Sequence, residues 1–157
     1  MTDFVPIDPD IDLHEPEQRA ELRRHPLTVL GTISIGGALG ALARYGLGVA
    51  FPVPADGFPW TTFSINVAGC VLIGILMVLV TEAWPTQVLV RPFFGVGILG
   101  GFTTFSTYVV DIQRLLNHRV PLTALAYLLA TAVAAIAAAA AGLRIGRAAV
   151  RLKKVIR

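Results

Sequence analysis

Four apolar stretches run through the chain, and short polar or proline-containing connections separate them. A helix that crosses a bilayer needs about 20 predominantly apolar residues. Each stretch is long enough: they cover residues 27–51, 58–81, 92–110 and 120–143. The connections are PVPADG at 52–57, EAWPTQ at 82–87 and DIQRLLNHR at 111–119. The pattern predicts an all-α membrane protein with four transmembrane helices.

Composition agrees with this fold class. Hydrophobic residues make up 55% of the 157 positions, and the mean hydropathy is +0.70. A soluble domain of this size is less apolar. We therefore divide the chain into an acidic, mobile N-terminal tail at 1–26, a four-helix transmembrane domain at 27–145 and a basic C-terminal tail at 146–157.

Charge is distributed unevenly along the chain. Seven of the ten acidic residues precede residue 22. With four spans, both termini share one side with the second connection. Ten of the 13 basic residues fall on that side, and three fall on the other, namely Arg44, Arg114 and Arg119. The positive-inside bias predicts cytoplasmic termini. Because the basic residues flank apolar spans and form no aromatic-interleaved stripe, no nucleic-acid partner is indicated.

Small residues recur at helical spacing in the predicted spans. Such spacing lets helix backbones approach closely, and in lipid this packing replaces the hydrophobic drive. Because four thin helices bury little surface alone, we expect a dimer or larger assembly; tight packing within one bundle is the alternative. The small residues are Gly36 with Gly40, Gly37 with Ala41, Cys70 with Gly74, and the alanine-dense segment 130–141.

Ionisable groups are scarce inside the spans. Spans two to four contain none between their ends, which disfavours a proton-coupled carrier, and Asp111 lies at a span end. Arg44, inside the first span, either snorkels to the interface or lines an aqueous vestibule. The three histidines lie outside the spans, so no nucleophile–base pair or metal cluster is available. The chain is not expected to be an enzyme.

A break is predicted in the third span. The stretch GGFTTFSTY at 100–108 contains Gly100 and Gly101, which are poor helix formers, followed by Thr103 and Thr104, whose hydroxyls compete for backbone hydrogen bonds. Non-helical backbone at membrane depth is tolerated only where it is buried in protein or lines a polar path. A break exposes carbonyls that can bind Na⁺ and a helix N-terminus that favours anions.

Uncharged hydrogen-bonding groups accompany this break. Thr62 and Asn66 share one face of the second span, and the Asn66 amide either donates to an ion or joins helices. Phe105 and Tyr108 share a helical face. Aromatic rings have positive edges, so a row of ring edges can hold an anion; ordinary packing or lipid contact is the alternative.

Three motifs stand in order in the first three spans: GGALGALARY at 36–45, TTFSINVAG at 61–69 and GGFTTFSTY at 100–108. In these motifs and in the four-span layout, over residues 30 to 143, the chain resembles the Fluc (CrcB) family of fluoride channels. The resemblance implies an antiparallel, dual-topology dimer in a bacterial cell membrane. It also implies two fluoride pathways along the dimer interface and a central, structural Na⁺.

The resemblance assigns roles by motif position. It implies that backbone carbonyls of Gly100 and Thr103 hold Na⁺, that Asn66 donates to fluoride, and that Arg44 lies near the vestibule. Phe105 and Tyr108 would form an aromatic box. The remaining members of the polar track would be Thr62, Ser106, Thr107 and Thr131.

Two departures from the family pattern matter. The family usually has Phe at the position of Tyr108 and Glu at that of Asp111. The charge bias is also stronger than a chain that inserts in both orientations should show. It leaves open whether the partner is a second copy or an oppositely oriented homologue.

The expected function is passive export of fluoride from a bacterial cytoplasm, which lowers fluoride toxicity. Asn, Ser and Thr donors would replace the water around a small anion, and weak multi-site binding would permit its release. The alternatives are a small proton-coupled exporter and a non-conducting structural subunit.

Overall fold

The structure, a computed structural model, describes residues 26–83 and 89–155. The predicted acidic tail, apart from Pro26, therefore lies outside the described residues. So do residues 84–87 of the second connection, the adjoining residue 88 and the last two residues of the predicted basic tail.

The described residues form helices and connecting turns, without strands. Four helical segments are long and apolar enough to cross a membrane, namely Leu27–Ala50, Trp60–Glu82, Arg91–Asn117 and Pro121–Leu152. The predicted all-α, four-span architecture is confirmed. The helices are α1 (Pro26–Ala50), α2 (Trp60–Val78, extended by a π-helical turn at Leu79–Ala83), α3 (π-helical over Arg91–Leu99, then α-helical over Gly100–Phe102), α4 (Ser106–Asn117) and α5 (Pro121–Val155).

The third span is broken where the sequence predicts it. α3 ends at Phe102, and Thr103 is extended, with φ −76° and ψ 159°. Helical backbone resumes with α4 at Ser106. Hence α3 and α4 are two half-helices of one span, separated by three residues.

The predicted connection at 111–119 is wrong for most of its length. Residues 111–117 continue α4, and only the turn after Asn117 separates it from α5. This segment alternates polar residues with Leu115 and Ile112, so its mean apolar content is low although one face is buried. Hydropathy alone therefore ended the span too early. α5 likewise continues beyond residue 145 to Val155.

Glycines bring α1 and α3 into backbone contact. A Cβ on Gly97 would lie 3.0 Å from the Gly36 Cα, and one on Gly40 would overlap the Ile98 carbonyl. α2 and α5 meet similarly, because a Cβ on Gly74 would lie 2.5 Å from the Ala139 carbonyl oxygen. These glycines therefore serve tight packing within one bundle, the alternative to assembly into a dimer. They give no support of their own to a dimer.

The turn between α4 and α5 fixes how the two helices pack. Arg119 has a positive φ of 59°. The Arg119 N–H donates to the Leu116 carbonyl, and the Val120 N–H donates to the Leu115 carbonyl at 3.1 Å. These two hydrogen bonds form a Schellman motif, which satisfies the last carbonyls of a helix. It places Leu115 against Tyr127 of α5 in the buried core.

Candidate functional site

The break in the third span is fixed by one side chain of α2. Asn66 Nδ2 donates to the Thr104 carbonyl at 2.9 Å, and Asn66 Oδ1 accepts the Thr104 N–H at 2.9 Å. An amide side chain offers one acceptor and two donors, so one Nδ2 hydrogen is left for another partner. Asn66 thus joins α2 to the break, and it retains a donor.

Two carbonyls at the break lose their usual helical partners. In a continuous α-helix, the Thr104 N–H donates to Gly100 and the Thr107 N–H donates to Thr103. Here the Thr104 N–H is bound to Asn66, and the Thr107 N–H donates to Thr104 Oγ1 at 3.1 Å. The Gly100 and Thr103 carbonyl oxygens are therefore released from the helical pattern.

An open groove of about 620 Å³ lies beside the break, between α2, the two halves of the third span and α5. The Thr131 hydroxyl is buried there and has no hydrogen-bond partner among the described residues. Phe105 is 77% exposed at the same groove. Six of the predicted site residues line it together: Asn66, Gly100, Thr103, Phe105, Tyr108 and Thr131.

The two predicted box rings are neighbours. The ring centroids of Phe105 and Tyr108 lie 5.8 Å apart, with an interplanar angle of 42°. The Tyr108 hydroxyl donates to the Leu128 carbonyl of α5 at 2.9 Å. That bond anchors the phenol to α5. The hydroxyl, which is the group that distinguishes Tyr108 from Phe, therefore already donates its hydrogen within the chain.

The side chain of Arg44 is hydrogen-bonded to the first half of the third span. Its Nε donates to the Gly101 carbonyl at 3.1 Å. The carbonyls at a helix C-terminus carry partial negative charge, so a guanidinium is favourable there. Arg44 also lines a second cavity of about 280 Å³. The interpretation of Arg44 as a vestibule residue is compatible with this position, although its side chain is tied to α3.

The second cavity contains a buried carboxylate, which the hydropathy pattern did not predict. Asp111 is only 7% exposed. Its Oδ2 accepts the Thr62 hydroxyl at 2.7 Å, and its Oδ1 lies 3.3 Å from Arg114 Nη2. The prediction that Asp111 stands at a span end is wrong, because α4 continues beyond it. The pairing of Asp111 with Arg114, three residues later on a helix, was the available signal.

The predicted polar track therefore divides into two groups. Thr62, Thr107 and Arg44 line the second cavity, and the other group lines the groove. Thr104 lines both and links them. Ser106 lines neither of these two spaces; its hydroxyl lies 3.3 Å from Thr104 Oγ1.

Comparison with known proteins identifies relatives over most of the chain. Residues 32–143 match the family model described as "CrcB-like protein, Camphor Resistance (CrcB)". The chain is 50% identical to "Fluoride-specific ion channel FluC 2" of Streptomyces avermitilis over 79% of this chain and 78% of the relative. It is 55% identical to "Fluoride-specific ion channel FluC 1" of Streptomyces coelicolor over 70% and 71% of the two chains. Identity is also 55% with "Fluoride-specific ion channel FluC 2" of Nocardia farcinica, over 73% and 81%.

Proposed function

This chain belongs to the CrcB family, and we propose that it is a channel that conducts fluoride passively and selectively out of the bacterial cytoplasm. It is a multi-pass membrane protein of an ion-channel family and not an enzyme. The observation that carries the proposal is the groove at the broken third span, where donors and ring edges from three spans converge. The choice of fluoride as the ion rests on the names of the relatives, which are fluoride-specific ion channels.

The groove offers what a small, strongly hydrated anion needs. Asn66 retains one amide hydrogen beyond its two bonds to Thr104, and the Thr131 hydroxyl has no partner among the described residues. The edge of Phe105 adds positive potential without a full charge. Several weak donors bind an ion and still release it, whereas a pore cation would hold it more tightly.

A partner subunit completes the proposed pathway. The groove is open, and Phe105 is 77% exposed beside it. A second subunit in the opposite orientation would cover this ring and enclose the groove. The partner is either another copy of this chain or an oppositely oriented homologue, and ten basic residues against three favour a fixed orientation with cytoplasmic termini.

Na⁺ fits the carbonyls at the break. A hard cation prefers oxygen ligands, and the Gly100 and Thr103 carbonyls have both lost their helical N–H donors to side chains. Two such pairs, one from each subunit, would supply four oxygens. Na⁺ would add positive charge at the subunit interface. The shape of the break is held by hydrogen bonds between residues of this chain.

Export follows from the acid chemistry of fluoride. Neutral HF crosses a membrane unaided and ionises in the less acidic cytoplasm, where F⁻ would be trapped. The interior-negative potential drives an anion outward at about 2.3 kcal/mol per 100 mV. A passive pore in the plasma membrane is therefore sufficient.

One observation favours a second candidate, a proton-coupled exporter. Asp111 is a buried carboxylate inside the third span, and such groups mark proton relays. However, Asp111 is paired with Arg114 and bonded to Thr62. Both carboxylate oxygens are thus already engaged by partners within the chain, which favours a structural role for Asp111 over that of a proton relay.

Fluoride efflux from liposomes tests the proposal. The protein alone is reconstituted into vesicles loaded with potassium fluoride, and external fluoride is followed with an electrode. A passive channel releases fluoride only when valinomycin lets K⁺ balance the charge. Release without valinomycin, accompanied by proton movement, would instead indicate the exporter.

Two matched variants connect the efflux to the groove. Phe105→Ala is expected to reduce the rate at least about tenfold, because a ring edge at the pore is lost. Phe94→Ala, another exposed phenylalanine of the same span that lies outside the groove, is expected to conduct like the parent. Equal rates for both variants would contradict the proposed pathway, and a parent protein that releases no fluoride would leave the non-conducting structural subunit. Replacing Na⁺ with a large organic cation is expected to slow efflux in every conducting variant.

A further inference from the structure

The outer end of α5 presents an arginine face, formed by Arg144, Arg147 and Arg151. All three side chains are exposed, and their spacing of three and four residues puts them on one side of the helix. Among the described residues no carboxylate lies within ion-pair distance of them. No acidic residue follows Asp111 in the sequence. The positive charge of this face is therefore not balanced by α5 itself.

Contacts with α2 hold this end of α5 in place. A Cβ on Gly146 would lie 2.9 Å from the Val78 Cβ, and Val150 is buried. These two residues lie on a different side of the helix from the arginines. Ile145 and Leu152 are exposed beside the arginine face and form an apolar strip. The outer end of α5 thus combines positive charge with adjoining apolar side chains.

The arginine face extends beyond the membrane. About 20 helical residues cross the hydrocarbon core, whereas α5 has 35, Pro121–Val155. Counted from Pro121, Arg144 lies near the headgroups and Arg151 lies about 15 Å past the hydrocarbon boundary. The headgroup layer is about 5–8 Å deep. Lipid headgroups therefore reach the inner end of the face, and its outer end is left for an anion from the aqueous side.

The N-terminal segment of this chain has the matching chemistry. Residues 1–17, here called the acidic segment, contain six acidic residues and no lysine or arginine. Within it, acidic and apolar residues alternate in the stretch IDPDIDL at 7–13. Carboxylates pair well with guanidinium groups, and the isoleucines and leucine match the apolar strip. The family match over residues 32–143 does not account for this segment.

The acidic segment is tethered within reach of the arginine face. Because four spans return the chain to the side where it started, α1 begins on the side where α5 ends. Eight residues separate Glu17 from Pro26, and they can span about 30 Å when extended. α2 packs against both α1 and α5. Since packed helices lie about 8–10 Å apart, α5 is within about 20 Å of α1.

We propose that the acidic segment binds the arginine face of α5 in the same chain, with its carboxylates on the arginines and its apolar residues on the apolar strip. Each exposed ion pair is weak. Several pairs at one face act together, and the tether raises the effective concentration of the segment. The arginine face is then withheld from anionic lipids. This inference is independent of the proposed fluoride conduction.

Disulfide cross-linking in the full-length protein tests the contact. Pro9→Cys, in the acidic segment, is combined with Ala148→Cys, an exposed position between the arginine face and the apolar strip, in a Cys70→Ala background. The control combines Pro9→Cys with Glu82→Cys, an exposed position at the same end of the bundle. A membrane-permeant oxidant is added to phosphatidylcholine vesicles, and mass spectrometry measures the cross-link. We expect the Ala148→Cys pair to react at least about fivefold faster than the control at about 0.05 M salt, and to lose most of this advantage at about 1 M.

Charge exchange separates binding from folding. Arg147→Glu with Arg151→Glu should slow the cross-link at least about fivefold, because the acidic segment then meets like charge. Adding Asp8→Lys with Asp10→Lys should restore most of the rate. An unchanged rate in the double Arg→Glu variant would overturn the inference, as would equal rates for the test and control pairs. A cross-link that joins two chains instead of closing within one would also overturn it.

Anionic lipid is the competing occupant of the arginine face. The oxidation is repeated in vesicles that contain about 30% phosphatidylglycerol. A preserved cross-link supports the contact within the chain. A cross-link lost in these vesicles would assign the arginine face to lipid headgroups and overturn the inference. Neither measurement uses fluoride, so failure of the proposed function would leave this test unaffected.

Discussion

Asn66 and Thr104 are joined by two hydrogen bonds of 2.9 Å each, one from the Asn66 amide to the Thr104 carbonyl and one from the Thr104 N–H to the amide oxygen. The amide side chain thus pairs with both the N–H and the C=O of one residue, as the backbone of a neighbouring β-strand would. Loss of the Asn66 amide would leave the Thr104 N–H and C=O without these hydrogen-bond partners inside the bundle.

Asn66→Ala should therefore destabilise the protein as well as stop conduction. The two lost bonds and the unsatisfied Thr104 groups are expected to lower the free energy of unfolding by about 2–4 kcal/mol. Thermal unfolding in detergent measures this change. Ser64→Ala, at an exposed position of the same helix, is the control and should change the midpoint little. Equal midpoints for the two variants would contradict the role of Asn66 at the break.

Arg44 should stabilise the end of α3 through its bond to Gly101. Arg44→Gln is expected to cost about 1–2 kcal/mol, because a charge-assisted bond to a C-terminal carbonyl is lost. Unfolding of this variant is compared with that of Arg144→Gln, which removes an exposed charge on α5. If both variants unfold alike, the contact between Arg44 and Gly101 contributes nothing to stability.

Two glycines of α1 should respond oppositely to the same substitution. Gly40→Ala places a methyl group against the Ile98 carbonyl of α3, and we expect a loss of about 3 kcal/mol. At Gly46 nothing lies within 4 Å of an added Cβ. Gly46→Ala should therefore gain up to about 1 kcal/mol from helix propensity. The yield of folded protein and its unfolding midpoint provide the readout; a tolerated Gly40→Ala would refute the close α1–α3 contact.

We expect the ring of Tyr108, and not its hydroxyl, to support fluoride conduction. Because the hydroxyl donates to Leu128 on α5, Tyr108→Phe should cost about 0.5–1.5 kcal/mol in stability while fluoride efflux stays within about threefold of the parent. Tyr108→Leu removes the ring and should reduce efflux much further. An efflux rate that collapses in Tyr108→Phe would show that the hydroxyl itself serves the ion.

The sequence predicts the four spans and the break because each depends on local chemistry. Long apolar runs identify the spans, and adjacent glycines followed by two threonines identify the place where α3 ends. The convergence of Asn66, Phe105 and Thr131 was predicted from family motifs. Their hydrogen-bond partners, such as Thr104 and Leu128, depend on how distant segments pack, which local patterns do not contain.

The pairing of buried Asp111 with half-buried Arg114 was missed for a related reason. Hydropathy treats both residues as polar and ends the span, although their charges compensate each other and one face of α4 is apolar. The π-helical winding of Arg91–Leu99 also had no recognised signal in the sequence. Both features are decided by the neighbours of a residue and not by its own preference.

Contacts inside one chain hold the break, from Asn66 on one flank and Arg44 on the other. The backbone groups of the discontinuity therefore have hydrogen-bond partners within the subunit itself. A partner subunit of the kind proposed above would therefore meet a surface that these bonds already shape. The bonds made when the subunit folds thus offset the entropic cost of ordering this segment of the third span.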